Sequence, residues 1–102
     1  MRLLWPALSS VLLCACAFVN PDERGREVEV AYFGVQGQCQ LLGEVSAHVP
    51  HRIAGIERSE IRVRDELESL ARNEAAELGA DTIEPVGEPE RGRQSFRAYR
   101  CR

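Results

Sequence analysis

Leu70-Ala71-Arg72-Asn73-Glu74-Ala75-Ala76-Glu77-Leu78-Gly79-Ala80-Asp81-Thr82-Ile83 decides how this chain folds. It reads as the end of an amphipathic helix, a glycine stop and the start of a strand. Upstream, Val63, Leu67, Leu70, Ala71, Ala75 and Leu78 recur at helical spacing and make one apolar stripe. Ser59 stands where an N-cap belongs, followed by Glu60, where the helix dipole favours an acid. Gly79 supplies the left-handed residue that ends the helix. The spacing therefore predicts a helix over residues 60–78. Ala71 and Ala75 are small enough to let it lie close on a sheet. At about 100° per residue Glu74 falls inside the stripe, between Leu67 and Leu70. Either its stem packs while its carboxylate reaches the edge, or it is a partly buried acid paired with a strand arginine.

Strands are predicted on both sides of the helix. Glu27-Val28-Glu29-Val30-Ala31-Tyr32-Phe33 alternates charged and apolar side chains, as a half-buried strand does. Cys39-Gln40-Leu41-Leu42-Gly43-Glu44-Val45 follows, with Cys39, Leu41, Gly43 and Val45 on one face; Gly43 in mid-strand marks a bulge or a close backbone approach. Residues 46–58, with Pro50 and Gly55, read as a connection. After the helix, residues 81–86 form a strand that Pro85 pushes to an edge or ends early. Residues 87–94 read as a polar turn and residues 95–101 as the last strand. The order is β-β-α-β-β, with a local hairpin on each side of the helix. The expectation is an α+β fold: a small, mainly antiparallel sheet of about four strands with one helix packed on one face.

With 102 residues the chain holds one domain, and 44% apolar residues are ordinary for a globular one. Every basic residue is Arg, and a net charge of −3 gives no case for nucleic acid. The first residues read as a targeting segment. Arg2 precedes an apolar run, Leu3 to Leu13, too short for a transmembrane helix. Leu13-Cys14-Ala15-Cys16 then resembles a bacterial lipobox, with cleavage before Cys16 leaving a lipidated N-terminal cysteine. Residues 1–15 are thus expected to be a lipoprotein signal peptide, residues 16–26 the lipidated Cys16 and a short tether, and residues 27–102 the domain. Ala17, rather than Asp, after Cys16 points to the outer membrane. The tether extends at most about 35 Å. A plain secretory signal with incidental cysteines is the alternative.

Removing Cys14 and lipidating Cys16 leaves Cys39 and Cys101, an even number in an oxidising compartment. A bridge between them would close a loop worth roughly 4 kcal/mol on chain-entropy grounds, which matters for a folded unit this small. Two free thiols on a metal are the alternative. His48 and His51 offer two imidazoles, but Pro50 sets them in a loop and a zinc site would need further ligands. No metal and no cofactor are expected. The serines lie in no nucleophile-elbow pattern, and no enzyme activity is expected. Glu60, Asp65, Glu66, Glu68 and Glu77 alternate with Arg62, Arg64 and Arg72 and read as a solvated helix face. Arg93, Arg97 and Arg100 crowd the C-terminal strand, either as an interaction surface or as charges that protect a sheet edge.

Leu42-Gly43-Glu44-Val45-Ser46, the run Arg72 to Thr82, and Ala98-Tyr99-Arg100-Cys101 together resemble a family of uncharacterised bacterial envelope lipoproteins carrying a domain of unknown function. That domain is similar to the folded part of RcsF, the outer-membrane sensor lipoprotein of the Rcs phosphorelay. The resemblance covers roughly residues 36–102. It implies a disulfide-stapled α+β domain hung from the outer membrane, facing the periplasm, with no catalytic residue. The sensor has two bridges and a long proline-rich spacer, whereas this chain has two domain cysteines and a short tether. Fold and anchor carry over; signalling partners do not. The expected function is a non-catalytic structural or protein-interaction role in the envelope, touching on envelope stress, with an unidentified envelope protein as partner. The alternative is a small periplasmic ligand- or metal-binding module using His48, His51 and the basic C-terminal edge.

Overall fold

The structure, a computed structural model, describes residues 23–102. Cys16 and the signal segment lie outside the described residues. A 3₁₀ turn, Gly25–Glu27, leads into β1 (Glu29–Val30); then come β2 (Gln40–His48), a small hairpin of β3 (Arg52–Ile53) and β4 (Ile56–Glu57), the helix α1 (Glu60–Glu77), β5 (Thr82–Glu90) and β6 (Arg93–Arg100). The main sheet has the order β1-β5-β6-β2. All its pairings are antiparallel except β1 with β5. The expected α+β class is therefore present: one helix on a mainly antiparallel four-stranded sheet, with a second, two-stranded sheet beside it.

The topology differs from two local hairpins. β2 and β5 run parallel to each other with α1 as the crossover between them, and β6 folds back into the slot left between them. The hairpin predicted before the helix does not form. Its first strand shrinks to Glu29–Val30, which pairs with Thr82 and Ile83 on the far side of the sheet. A single alternating run cannot say which partner it will meet; that is set by the crossover.

Two other boundaries move for local reasons. Residues 87–94 are not an open turn: β5 runs on to Glu90, and Arg91 and Gly92 alone make the turn, with φ of 50° and 75°. That sign pattern is the type I′ hairpin turn, whose twist matches its strands. Gly92 is required twice over, since a Cβ there would also run into the Val49 carbonyl oxygen. Residues 46–58 hold a second such hairpin, turning at Ala54 and Gly55, with φ of 54° and 79°. Pro85 sits within β5 without ending it. Ile83 turns its carbonyl to β1; by the two-residue alternation Pro85 turns its N-H-less nitrogen to the same side, past the end of β1, where no ladder bond is lost.

The helix has the predicted limits. Ser59 Oγ accepts the Arg62 N–H at 3.4 Å. At the other end Ala80 N donates to Ala75 O and Gly79 N to Ala76 O, a Schellman closure with Gly79 at φ 85°. Phe96, Leu67 and Ile83 are the largest fully buried side chains, joined by Val45, Ala47, Val63, Ala71, Ala75 and Ala98. The buried helix face slants, from Val63, Glu66 and Leu67 early to Ala71 and Ala75 late. Hence Leu78 is 46% exposed and Glu74 is exposed, so Glu74 is not a buried acid. The β2 face also breaks where Gly43 predicted it: register shifts between Leu41 and Gly43, leaving Leu41 exposed while Val45, Ala47 and Val49 turn inward.

Candidate binding cleft at the end of the sheet away from the disulfide

Strand directions give the domain two ends. At one, Gln40 pairs with Arg100 and Thr82 with Tyr99. Cys39 and Cys101, 62 residues apart in sequence, are joined there by a disulfide, so neither is a free thiol for a metal. The N-terminal segment is fixed at this end and along α1. Arg72 Nε donates to Gly25 O and Val28 O, and its Nη2 to Arg26 O. Residues 25 and 26, which the sequence assigns to the tether, are thus held against the helix. Asp81 anchors the C-terminus: one carboxylate oxygen accepts Cys101 N at 2.9 Å, the other Arg102 N at 3.0 Å. Burial pushes its acidity down, but those two N–H groups, the Thr82 hydroxyl and the Arg102 charge outweigh it, so the carboxyl lies below its usual range.

At the other end His48 pairs with Arg93 and Glu90 with Arg93. Here α1 begins, and here a cleft of about 470 Å³ opens between three walls. The first turns of α1 bring Glu60, Val63 and Arg64. The β5–β6 hairpin brings Glu88, Pro89, Arg91 and Gly92. The segment around β3 and β4 brings His51, Arg52, Glu57 and Arg58. This hairpin is held in place through its backbone, by Val49 N on Gly92 O at 2.8 Å and Arg58 N on His51 O at 2.9 Å.

Beneath the cleft lies a buried ion pair. Arg58 sends Nη1 to Glu66 Oε1 at 3.1 Å and Nη2 to Oε2 at 2.7 Å, and Nη1 also reaches Pro50 O at 3.0 Å. This bidentate fork holds the guanidinium charge more firmly, against the opposing effect of burial. Glu66 is 6% exposed and therefore not part of the solvated face predicted for it. Nearer the rim, Arg64 pairs with Glu88 at 3.0 Å and Arg52 with Glu57 at 3.5 Å. Among the described residues Arg91 and Glu60 carry no ion pair.

The sequence-predicted residues are dispersed by this geometry. His48 projects from the open face of β2, and His51 lines the cleft on the helix side, so the two imidazoles do not converge. Among the described residues no group of three or more His, Cys, Asp or Glu is placed to hold a metal ion. The basic trio also splits. Arg93 and Arg97 lie on the open face of the sheet, where Arg97 meets Glu84 at 3.4 Å. Arg100 lies on the other side and donates to Gly79 O at 3.2 Å, closing the helix C-terminus. Sequence reasoning missed the cleft. Its signals are present but faint: Arg91-Gly92 as a turn pair, and Glu66 three residues after Val63.

No curated protein and no solved structure matches the chain. A family profile does match, over residues 19–101, nearly the whole of the fold just described; the chain belongs to the family defined by the domain of unknown function DUF4156.

Proposed function

We propose that this protein is an outer-membrane lipoprotein, anchored through lipidated Cys16 on the periplasmic face, with a non-catalytic structural or protein-interaction role. The observation that carries the reading is the Cys39–Cys101 disulfide. Such bridges persist in exported proteins and not in reducing compartments. It stands in a chain that opens with Arg2, an apolar run and Leu13-Cys14-Ala15-Cys16. The two ends of the fold fit the same arrangement. The N-terminal segment is held beside the disulfide end, so a membrane anchor leaves the cleft end facing away, with Arg93 and Arg97 accessible on the open sheet face. Envelope-stress surveillance is the role that the likeness to the Rcs sensor lipoprotein would imply.

Intact mass of the native protein from its own membrane fraction, with and without reduction and alkylation, tests this. Diacyl or triacyl mass on Cys16, with two thiols appearing only after reduction, is the expected result. An unlipidated chain, or two thiols without reduction, removes the anchor or the bridge. The cleft favours a second reading, a small periplasmic ligand-binding module.

A further inference from the structure

We infer that the cleft at the start of α1 is a binding site for a small zwitterionic, peptide-like ligand, its carboxylate on Arg91 and its ammonium on Glu60. This deepens the second reading above and does not depend on the anchor. Three observations carry it. The volume, about 470 Å³, lies within the roughly 300–1,000 Å³ of small-molecule sites. The other arginines of the cleft are already spoken for: Arg52 by Glu57, Arg58 by Glu66 and Arg64 by Glu88. What remains among the described residues is one unpaired cation, Arg91, and one unpaired anion, Glu60, on two different walls, with Pro89 as the apolar lining for a side chain.

Arg91 supplies the third observation. It occupies the left-handed region at φ 50°, in the first position of a turn where Asn, Asp or Gly is at ease. Ala54 holds the same conformation in the other hairpin, so the strain alone marks no site; what sets Arg91 apart is that it holds it at the lip of the cleft with a charged side chain. Glu60, in the first helical turn, is compatible with the helix dipole without any partner and so stays available. Arg52, Arg58, Arg64 and Arg91 are balanced by Glu57, Glu60, Glu88 and, beneath the cleft, Glu66, so a pure anion meets no surplus of positive charge, whereas a ligand with both charges matches the lining.

The test is a titration of the full chain, in mild detergent, with alanyl-alanine, its N-acetyl and C-amide derivatives and inorganic phosphate, read by amide chemical shifts in residues 60–64 and 88–92. Free dipeptide should bind, and either cap should weaken it by at least about tenfold, as loss of a charge-assisted bond does. Arg91→Asn, which suits the turn better than arginine, and Glu60→Gln should each do the same with the fold intact. Equal binding of the acetylated dipeptide or of phosphate would overturn the zwitterion assignment while keeping a ligand site. No shift with any probe would overturn the site and the ligand-module reading together.

Discussion

Single residues here are decided by where the helix sits rather than by their own polarity. Glu66 and Glu74 are the same residue type eight positions apart on one helix. Glu66 is buried because Arg58 meets both its oxygens; Glu74 is exposed because the buried face has turned away from it. Removing one member of a buried pair strands the other, so Glu66→Ala should lower the urea midpoint well below that of Glu74→Ala, which should be near neutral. Tyr32 shows a second consequence of placement. Burial, its hydrogen bond to Glu68 at 2.8 Å and the charges of Glu68 and Asp65 push its phenol up to about 12, against Arg72. A raised tyrosine pKa contributes stability that is complete below its ordinary value of 10.0 and is lost as pH climbs through the folded value. Absorbance at alkaline pH should show both tyrosines titrating late, since burial and the hydrogen bond to Glu84 raise Tyr99 as well, and Glu68→Gln should bring Tyr32 alone back toward the ordinary value. Asp81 works with the opposite sign. Its stabilisation is present above the unfolded carboxylate pKa and disappears as pH falls through the lower folded one. Asp81→Asn should therefore flatten the acid limb of the stability curve as pH falls below the ordinary carboxyl value of 3.8.

At the scale of elements, legibility followed the length of the repeating signal. Val63 to Ala75 spans several turns and has a cap at each end, so α1 was readable to its limits. Pairing was not readable. Residues 27–33 alternate well, yet only Glu29 and Val30 enter a ladder, because β6 occupies the place beside β2 where they would have lain. The turns were obscured because their chemistry is unusual: Ala54 and Arg91 stand where the usual signal is Asn or Asp. The cleft was not legible because its walls come from three separated segments that only the crossover brings together. Gly92 is the position on which two of them depend. A Cβ there would collide with the Val49 carbonyl oxygen and also strain the turn. Gly92→Ala should lower the thermal midpoint and raise amide exchange at Val49 and Arg58, while the amide of Ala80, in the far helix cap, keeps its protection.

At the scale of the whole molecule, the two ends are stabilised by different means, and that separation can be tested. The cleft end is held by the Arg58–Glu66 pair, two tight hairpins and Val63 and Val49 in the core. The other end depends on covalent and polar ties: the disulfide, the Asp81 bonds to Cys101 and Arg102, and the Arg72 bonds to the N-terminal segment. Closing a loop of 62 residues' separation is worth about 4 kcal/mol, so reduction should lower the thermal midpoint by on the order of 15–30 °C in a domain of this size. The loss should not be spread evenly. Without the bridge, residues 31–39 and Arg102 have only hydrogen bonds and the exposed Arg102–Glu29 ion pair at 3.6 Å to keep them on the sheet, and β1 has only two paired residues. Amide exchange of reduced, alkylated protein should therefore rise first in residues 29–39 and 101–102, with Val63, Leu67 and the β5–β6 hairpin protected until global unfolding. Arg72→Ala in the bridged protein should loosen the same N-terminal segment without touching the cleft. If reduction opened both ends together, the disulfide would be constraining the whole fold rather than one end. The cleft would then depend on the bridge for its shape.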